Sequence, residues 1–331
     1  MPNPGSQPAR RKTALICGIS GQDGAYLAQF LIGKGYAVIG TSRDAELASL
    51  RNLARLGLEG RVPVVSMTLT DFRSVVQTLS RYEPDEIYNL AGQSSVGLSF
   101  QQPVETLESI TLGTINLLEA VGFLKRPTRI YFAGSGECYG DTGGIPADEN
   151  TAFKPRSPYA TAKAASFWAV ANYREAYGLH VSTGVLFNHE SPLRPRRFVT
   201  RKIVSAAVAI ARDGRGQLEL GDISIQRDWG WAPEYVTAMW LMLQQPEGDD
   251  YVIATGRASR LEDFCARAFS LVGLAWRDHV VINEQLYRPA EIRGNCGNSQ
   301  KAADKLGWRA TLFMEDVVER MIAEETSEYR T

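Results

Sequence analysis

"ALICGISGQDGAYLAQFLIGKG", residues 14–35, opens as an apolar strand, turns on three glycines and closes as an amphipathic helix. Gly18, Gly21 and Gly24 stand at the junction in GxxGxxG spacing. Glycines allow a tight turn and close backbone approach, and the helix that follows offers free N–H groups and the positive end of its dipole to a pyrophosphate. Three glycines alone are a weak signal. With a strand before them and a helix after them they mark a dinucleotide site, and a nicotinamide cofactor follows.

Working outward, apolar runs of strand length recur through the first 190 residues with helix-like stretches between them: "YAVIGT", "RVPVVSM", "EIYNLAG", "RIYFAGS" and "HVSTGVLF". Runs apolar on both faces belong to a parallel sheet covered by helices on each side. The expected fold is therefore α/β, a Rossmann-type doubly wound parallel sheet, with a smaller C-terminal substrate-binding lobe. After about residue 190 the rhythm breaks into longer, Arg-rich segments, with helices expected near 199–212, 232–245, 260–273 and 314–326. The boundaries read as a disordered leader over 1–12, a cofactor domain over 13–190 and a substrate lobe over 191–331, with the chain free to cross back to the first domain.

Composition narrows the function. At 331 residues with a formal net charge of -1, the chain has no global pull toward nucleic acid or acidic membrane. Cys17, Cys138, Cys265 and Cys296 lack CxxC spacing, which argues against structural zinc and against a disulfide scaffold and fits reduced thiols in a cytoplasmic protein. His180, His189 and His279 stand at no ligand spacing, so no metal is expected and catalysis rests on other groups. With no uninterrupted run of about 18 apolar residues, no membrane span is expected.

Two stretches carry chemistry. "PRSPYATAKAASFWAVANYREAYG" puts Tyr159 and Lys163 at i and i+4 on a helical segment, so that both face the same way. A lysine beside a phenol favours the phenolate and makes the tyrosine a usable acid/base. "RIYFAGSGECYG", residues 129–140, places Ser135 and Glu137 two apart where a strand runs out, and in an extended strand such side chains share a face. With the glycine turn, Ser135, Tyr159 and Lys163 resemble the set of the extended short-chain dehydrogenase/reductase superfamily, which implies oxidation of a sugar hydroxyl beside nicotinamide. Glu137 adds a second acid/base group, suited to removing the C5 proton made acidic by a C4 ketone.

"GISGQDGAYL", "YNLAGQSSVGLSF", "GSGECYG", "PRSPYATAK", "LFNHESPLRP", "FVTRKI" and "QRDWGWAPEYVTAMWLMLQ", with the tail from "YRPAEI" to "KLGW", more closely resemble the GDP-mannose 4,6-dehydratases. The resemblance implies conversion of GDP-mannose, or of a related nucleotide sugar, to the 4-keto-6-deoxy sugar by Ser135, Glu137, Tyr159 and Lys163. It further implies cofactor contacts at Gly18, Gly21, Gln22, Asp23, Gly24, Arg43, Leu90, Ala91, Tyr159 and Lys163, and substrate contacts at Gln93, Ser94, Asn188, Lys202, Arg227, Arg288 and Glu291. A homodimer or homotetramer is implied as well. At the end of the second strand Arg43 suits the 2′-phosphate of NADP and Asp44 the ribose hydroxyls of NAD, so NADP is expected with NAD as the alternative. Thr68 stands where the family has an adenine-contacting aspartate. Rival readings are a nucleotide-sugar reductase or epimerase, a 4,6-dehydratase of another NDP-hexose, and a non-catalytic nucleotide-binding module.

Overall fold

The computed structural model describes residues 10–328. Residues 1–9 of the expected leader lie outside the described residues. Residues 10–12, expected to share its disorder, are instead tied down: Arg10 pairs with Asp85, Arg11 donates to the Tyr36 carbonyl at 2.6 Å, and Lys12 Nζ reaches Glu86 at 3.0 Å.

Seven parallel strands form the main sheet. They are β1 (Thr13–Cys17), β2 (Ala37–Ser42), β3 (Val64–Ser66), β4 (Glu86–Asn89), β5 (Arg129–Ser135), β6 (Val181–Leu186) and, after three short strands, β10 (Asp250–Ile253). Their order is β10-β6-β5-β4-β1-β2-β3. The winding reverses between β1 and β4, which opens a crevice at the carboxyl ends of the strands. Alternation along β1 explains the two-faced core. Ala14 and Ile16 pack with the helices Gln22–Gly33 and Ala232–Leu243 on one side, and Leu15 and Cys17 pack with Phe72–Tyr82 and Gly113–Leu124 on the other.

The short strands are β7 (Asn188–Glu190), β8 (Leu218–Leu220) and β9 (Gln226–Trp231), followed after β10 by β11 (Ala258–Arg260), β12 (Val280–Ile282) and β13 (Gly294–Asn295). β9 pairs with β7, β11 and β13, and β8 pairs with β12. Helices Val199–Asp213, Leu261–Leu271 and Met314–Glu328 close over them around Ile203, Phe264, Phe269, Val317 and Met321. Because β10 joins β6 in the main sheet, the chain after residue 190 serves both bodies.

Pro103–Leu124 runs as a 22-residue helix and is, among the described residues, the one helix with the length and apolar composition of a membrane span. Polar residues interrupt it, Glu105, Glu108, Asn116 and Glu119 among them, so it holds no uninterrupted apolar run of that length. Its inner face, through Leu117, Leu118 and Val121, packs into the core beside the sheet.

Candidate active site

Ser135 ends β5 in extended geometry, and the chain then tightens into a 3₁₀ turn over Gly136–Tyr139. Ser135 Oγ accepts a hydrogen bond from the Glu137 N–H at 3.3 Å. Ser135 and Glu137 do line one cleft. Strand alternation is not the reason, since the strand stops before Glu137 and the capped turn swings that carboxylate round.

Tyr159 and Lys163 sit in the first turns of the helix Pro158–Tyr177, started by Ser157, whose hydroxyl accepts from the Ala160 N–H at 3.1 Å, and by a proline in its first turn. Lys163 Nζ donates to the Ala133 carbonyl on β5 at 2.8 Å and lies 5.8 Å from the Tyr159 ring centre. Burial depresses the lysine to about 8. The expected lowering of Tyr159 by Lys163 is not met in this arrangement: burial pushes the phenol up, and Ser135 acts only partly against it.

Facing these groups, Arg227 of β9 is buried among two carboxylates. Its Nη2 donates to Glu291 at 2.9 Å, its Nη1 to the Ile292 carbonyl at 2.7 Å, and its Nε lies 3.9 Å from Glu137. Arg288 pairs with Glu291 at 3.5 Å. The cleft, of about 430 Å³, brings together Asp23, Leu90, Ser94, Ser135, Glu137, Tyr159, Lys163, Asn188, Lys202, Arg227, Arg288 and Glu291. Gly18, Gly21, Gln22, Gly24, Arg43, Ala91 and Gln93 do not line it. Two of these have side chains committed elsewhere: Gln22 bonds Ser191 and the His189 carbonyl, and Gln93 bonds the Ser95 carbonyl and Thr106.

The glycine turn fits a dinucleotide. Gly18 has φ +86°, and a Cβ there would press on the Ala91 and Leu90 backbone at 3.1 Å, while a Cβ on Gly24 would stand 2.8 Å from Ile19 Cα. Bare backbone lets β4, β1 and the N-terminus of helix Gln22–Gly33 converge, leaving N–H groups for phosphate. At the end of β2, Asp44 caps the next turn by accepting from the Glu46 and Leu47 N–H groups, whereas Arg43 is exposed, 3.5 Å from Glu105.

Among the cleft residues that the sequence reading did not assign are His189, Arg194 and Asn295. His189 bridges Asp23 at 2.9 Å and the Phe187 carbonyl at 2.7 Å and stacks on Tyr235, and Arg194 pairs with Glu190 at 3.2 Å. Both lie in "NHESPLRP", where Asn188 alone had drawn attention; a histidine directly after a buried strand was the available signal. Nothing local marks Asn295.

The family model described as GDP-mannose 4,6 dehydratase matches residues 15–321. GDP-mannose 4,6 dehydratase 2 of Arabidopsis thaliana is 43% identical over 325 residues, covering 95% of this chain and 87% of that one. Among solved structures, the dTDP-glucose 4,6-dehydratase DesIV of Streptomyces venezuelae, with NAD bound, aligns at TM-score 0.84 and 23% identity, covering 96% of this chain and 98% of that one. RMD of Pseudomonas aeruginosa, complexed with NADPH, aligns at TM-score 0.80 and 22% identity, covering 96% of this chain and 99% of that one.

Proposed function

Since the chain belongs to the GDP-mannose 4,6-dehydratase family and is a hydro-lyase of that type, we propose that Ser135, Glu137, Tyr159 and Lys163 carry out its reaction with NADP as the resident cofactor. In this reading residues 13–190 chiefly hold the cofactor and residues 191–331 chiefly hold the nucleotide sugar. Lys202, Arg227 and Arg288 supply positive charge for the diphosphate, with Asn188, Ser94 and Glu291 as polar partners.

Ser135 and Lys163 stabilise the Tyr159 phenolate, against the upward push of burial, while its oxygen takes the proton of the sugar C4 hydroxyl. A nicotinamide held here would supply the acceptor for hydride from C4 and the donor of that hydride to C6. Glu137 removes the C5 proton, acidic beside the new ketone, and gives a proton to the C6 hydroxyl, which leaves as water. Tyr159 then returns its proton to C5. The sugar has lost one water, and every side chain ends as it began.

The observation that carries this reading is Glu137 on the same cleft as Ser135, Tyr159 and Lys163, because oxidation alone needs no second acid/base group. GDP-mannose deuterated at C4 should yield product with deuterium at C6 and no net change in reduced cofactor. Stoichiometric oxidation of added NADPH on a 4-keto sugar, without turnover of GDP-mannose, would make the protein a reductase instead.

A homodimer belongs to the same proposal, supported by exposed Val104, Leu112 and Trp168 on two neighbouring helices; a tetramer is its extension. Four buried, unpaired cysteines suit a reducing compartment, and a cytoplasmic location is part of this reading.

A further inference from the structure

Glu137 rides on a turn only four residues long, Gly136–Tyr139. Within the turn, the Gly140 N–H donates to the Glu137 carbonyl at 3.2 Å and Ser135 caps the start. One side chain from far along the chain joins its ends. Asn295, 4% exposed, donates through Nδ2 to the Gly136 carbonyl at 2.9 Å and to the Gly140 carbonyl at 3.2 Å. Those carbonyls flank Glu137. The amide's other atom, Oδ1, is buried without a hydrogen-bond partner. A buried amide that leaves its acceptor unsatisfied is costly to keep, and apolar residues of similar size would avoid that cost.

Asn295 is also held in register with the charge opposite Glu137. β13 runs parallel to β9 with Asn295 beside Arg227, and Arg227 bonds the Ile292 carbonyl just before β13. The clamp on the turn and the guanidinium 3.9 Å from Glu137 therefore belong to one ladder. Ser135, Tyr159 and Lys163 are held by β5 and the helix Pro158–Tyr177, outside that ladder.

We propose that Asn295 is a positioning residue that fixes Glu137 for the elimination half of the reaction and leaves the oxidation half to Ser135, Tyr159 and Lys163. The inference rests on the reading of Glu137 as the acid/base at C5 and C6. In that half, the C5 proton passes to Glu137, the C6–O bond breaks, and the hydroxyl leaves with a proton as water. A carboxylate displaced by about an ångström costs on the order of 10²-fold in such a step. Sugar oxidised at C4 then waits on the enzyme beside reduced nicotinamide.

Asn295→Leu keeps the size and removes the donor; Asn295→Ser keeps a smaller donor and serves if the leucine variant does not fold. Both are prepared as holoenzyme and checked by thermal melting. For the leucine variant we expect kcat lowered by roughly 10- to 100-fold, KM for GDP-mannose nearly unchanged, and a transient rise in the absorbance of reduced nicotinamide that the wild type lacks. The serine variant should fall between. Glu137→Gln is the control. If Glu137→Gln turns over like wild type, the reading of Glu137 fails and the inference with it. If Glu137→Gln stops dehydration and accumulates reduced cofactor while the folded Asn295 variant matches wild type, the inference alone is overturned. Equal loss of sugar binding and turnover, with no reduced nicotinamide, also overturns it by making Asn295 merely structural.

Discussion

At the scale of single residues, the pair of half-buried Asp23 and buried His189 ties the helix after the glycine turn to β7. Burial alone would raise Asp23, but His189, Gln22 and Arg194 together hold it down at about 2. Burial alone would likewise lower His189, but Asp23 raises it above its ordinary 6.5, against the opposing charge of Arg194. The signs give a window. Asp23, depressed from 3.8, contributes stability above that value that is lost as pH falls through about 2. His189, raised, contributes stability below 6.5 that is lost as pH climbs through its folded value. Stability from the pair is therefore greatest between about pH 4 and 6.5. Asp23→Asn should lower stability in that window by about 2 kcal/mol and flatten both limbs. Urea midpoints measured against pH for both proteins check this, and parallel curves would mean the pair is not charged. The sequence displayed both residues but not their meeting, because 166 positions separate them.

Among elements, those with a strong local period were legible in the sequence. Each of the six early strands forms where its apolar run stands, and helices Val199–Asp213, Ala232–Leu243, Leu261–Leu271 and Met314–Glu328 follow their expected spans closely. Local pattern failed where a tertiary contact decides. Glu325, in the last helix, is fully buried against Arg201, and the turn at Glu137 replaces an extended strand end. The end of β2 shows what such detail does for cofactor choice. Both Arg43 and Asp44 stood there as rivals, and Asp44 spends its carboxylate on the Glu46 and Leu47 N–H groups. Arg43 has the exposed guanidinium, with Glu105 as a weak surface partner. Arg43→Ala should weaken NADP binding by about 1.5 to 3 kcal/mol and leave NAD nearly unchanged. Fluorescence titration with each cofactor measures it, and equal losses would favour an NAD enzyme.

For the whole molecule, the site stands where the strand ends of the main sheet meet β7, β9 and β13, so residues from across the chain converge on one cleft. The general plan was legible because glycine turn, strand rhythm and Tyr-x-x-x-Lys spacing are local; the return of β10 and the clamp of Asn295 are long-range and were not. The helix Pro158–Tyr177 links that site to assembly. Its inner face buries Lys163 and Ser166, while its outer face exposes Thr161, Ala165, Trp168 and Asn172 at helical spacing. Trp168 is 64% exposed, and on the neighbouring helix Val104 is 65% and Leu112 44% exposed. Two such helices from each of two copies would bury this apolar surface in a four-helix contact, removing an exposure that a lone chain leaves in water. If the proposed dimer uses this face, Trp168→Asp with Leu112→Asp should sediment as a monomer where the wild type sediments as a dimer, because a charge facing its own symmetry mate across a dry interface is strongly unfavourable. Activity should fall as well, since Tyr159 and Lys163 sit on the helix that loses its outer support. A wild type that sediments as a monomer, or a double variant that remains dimeric, would show that this face is not the contact.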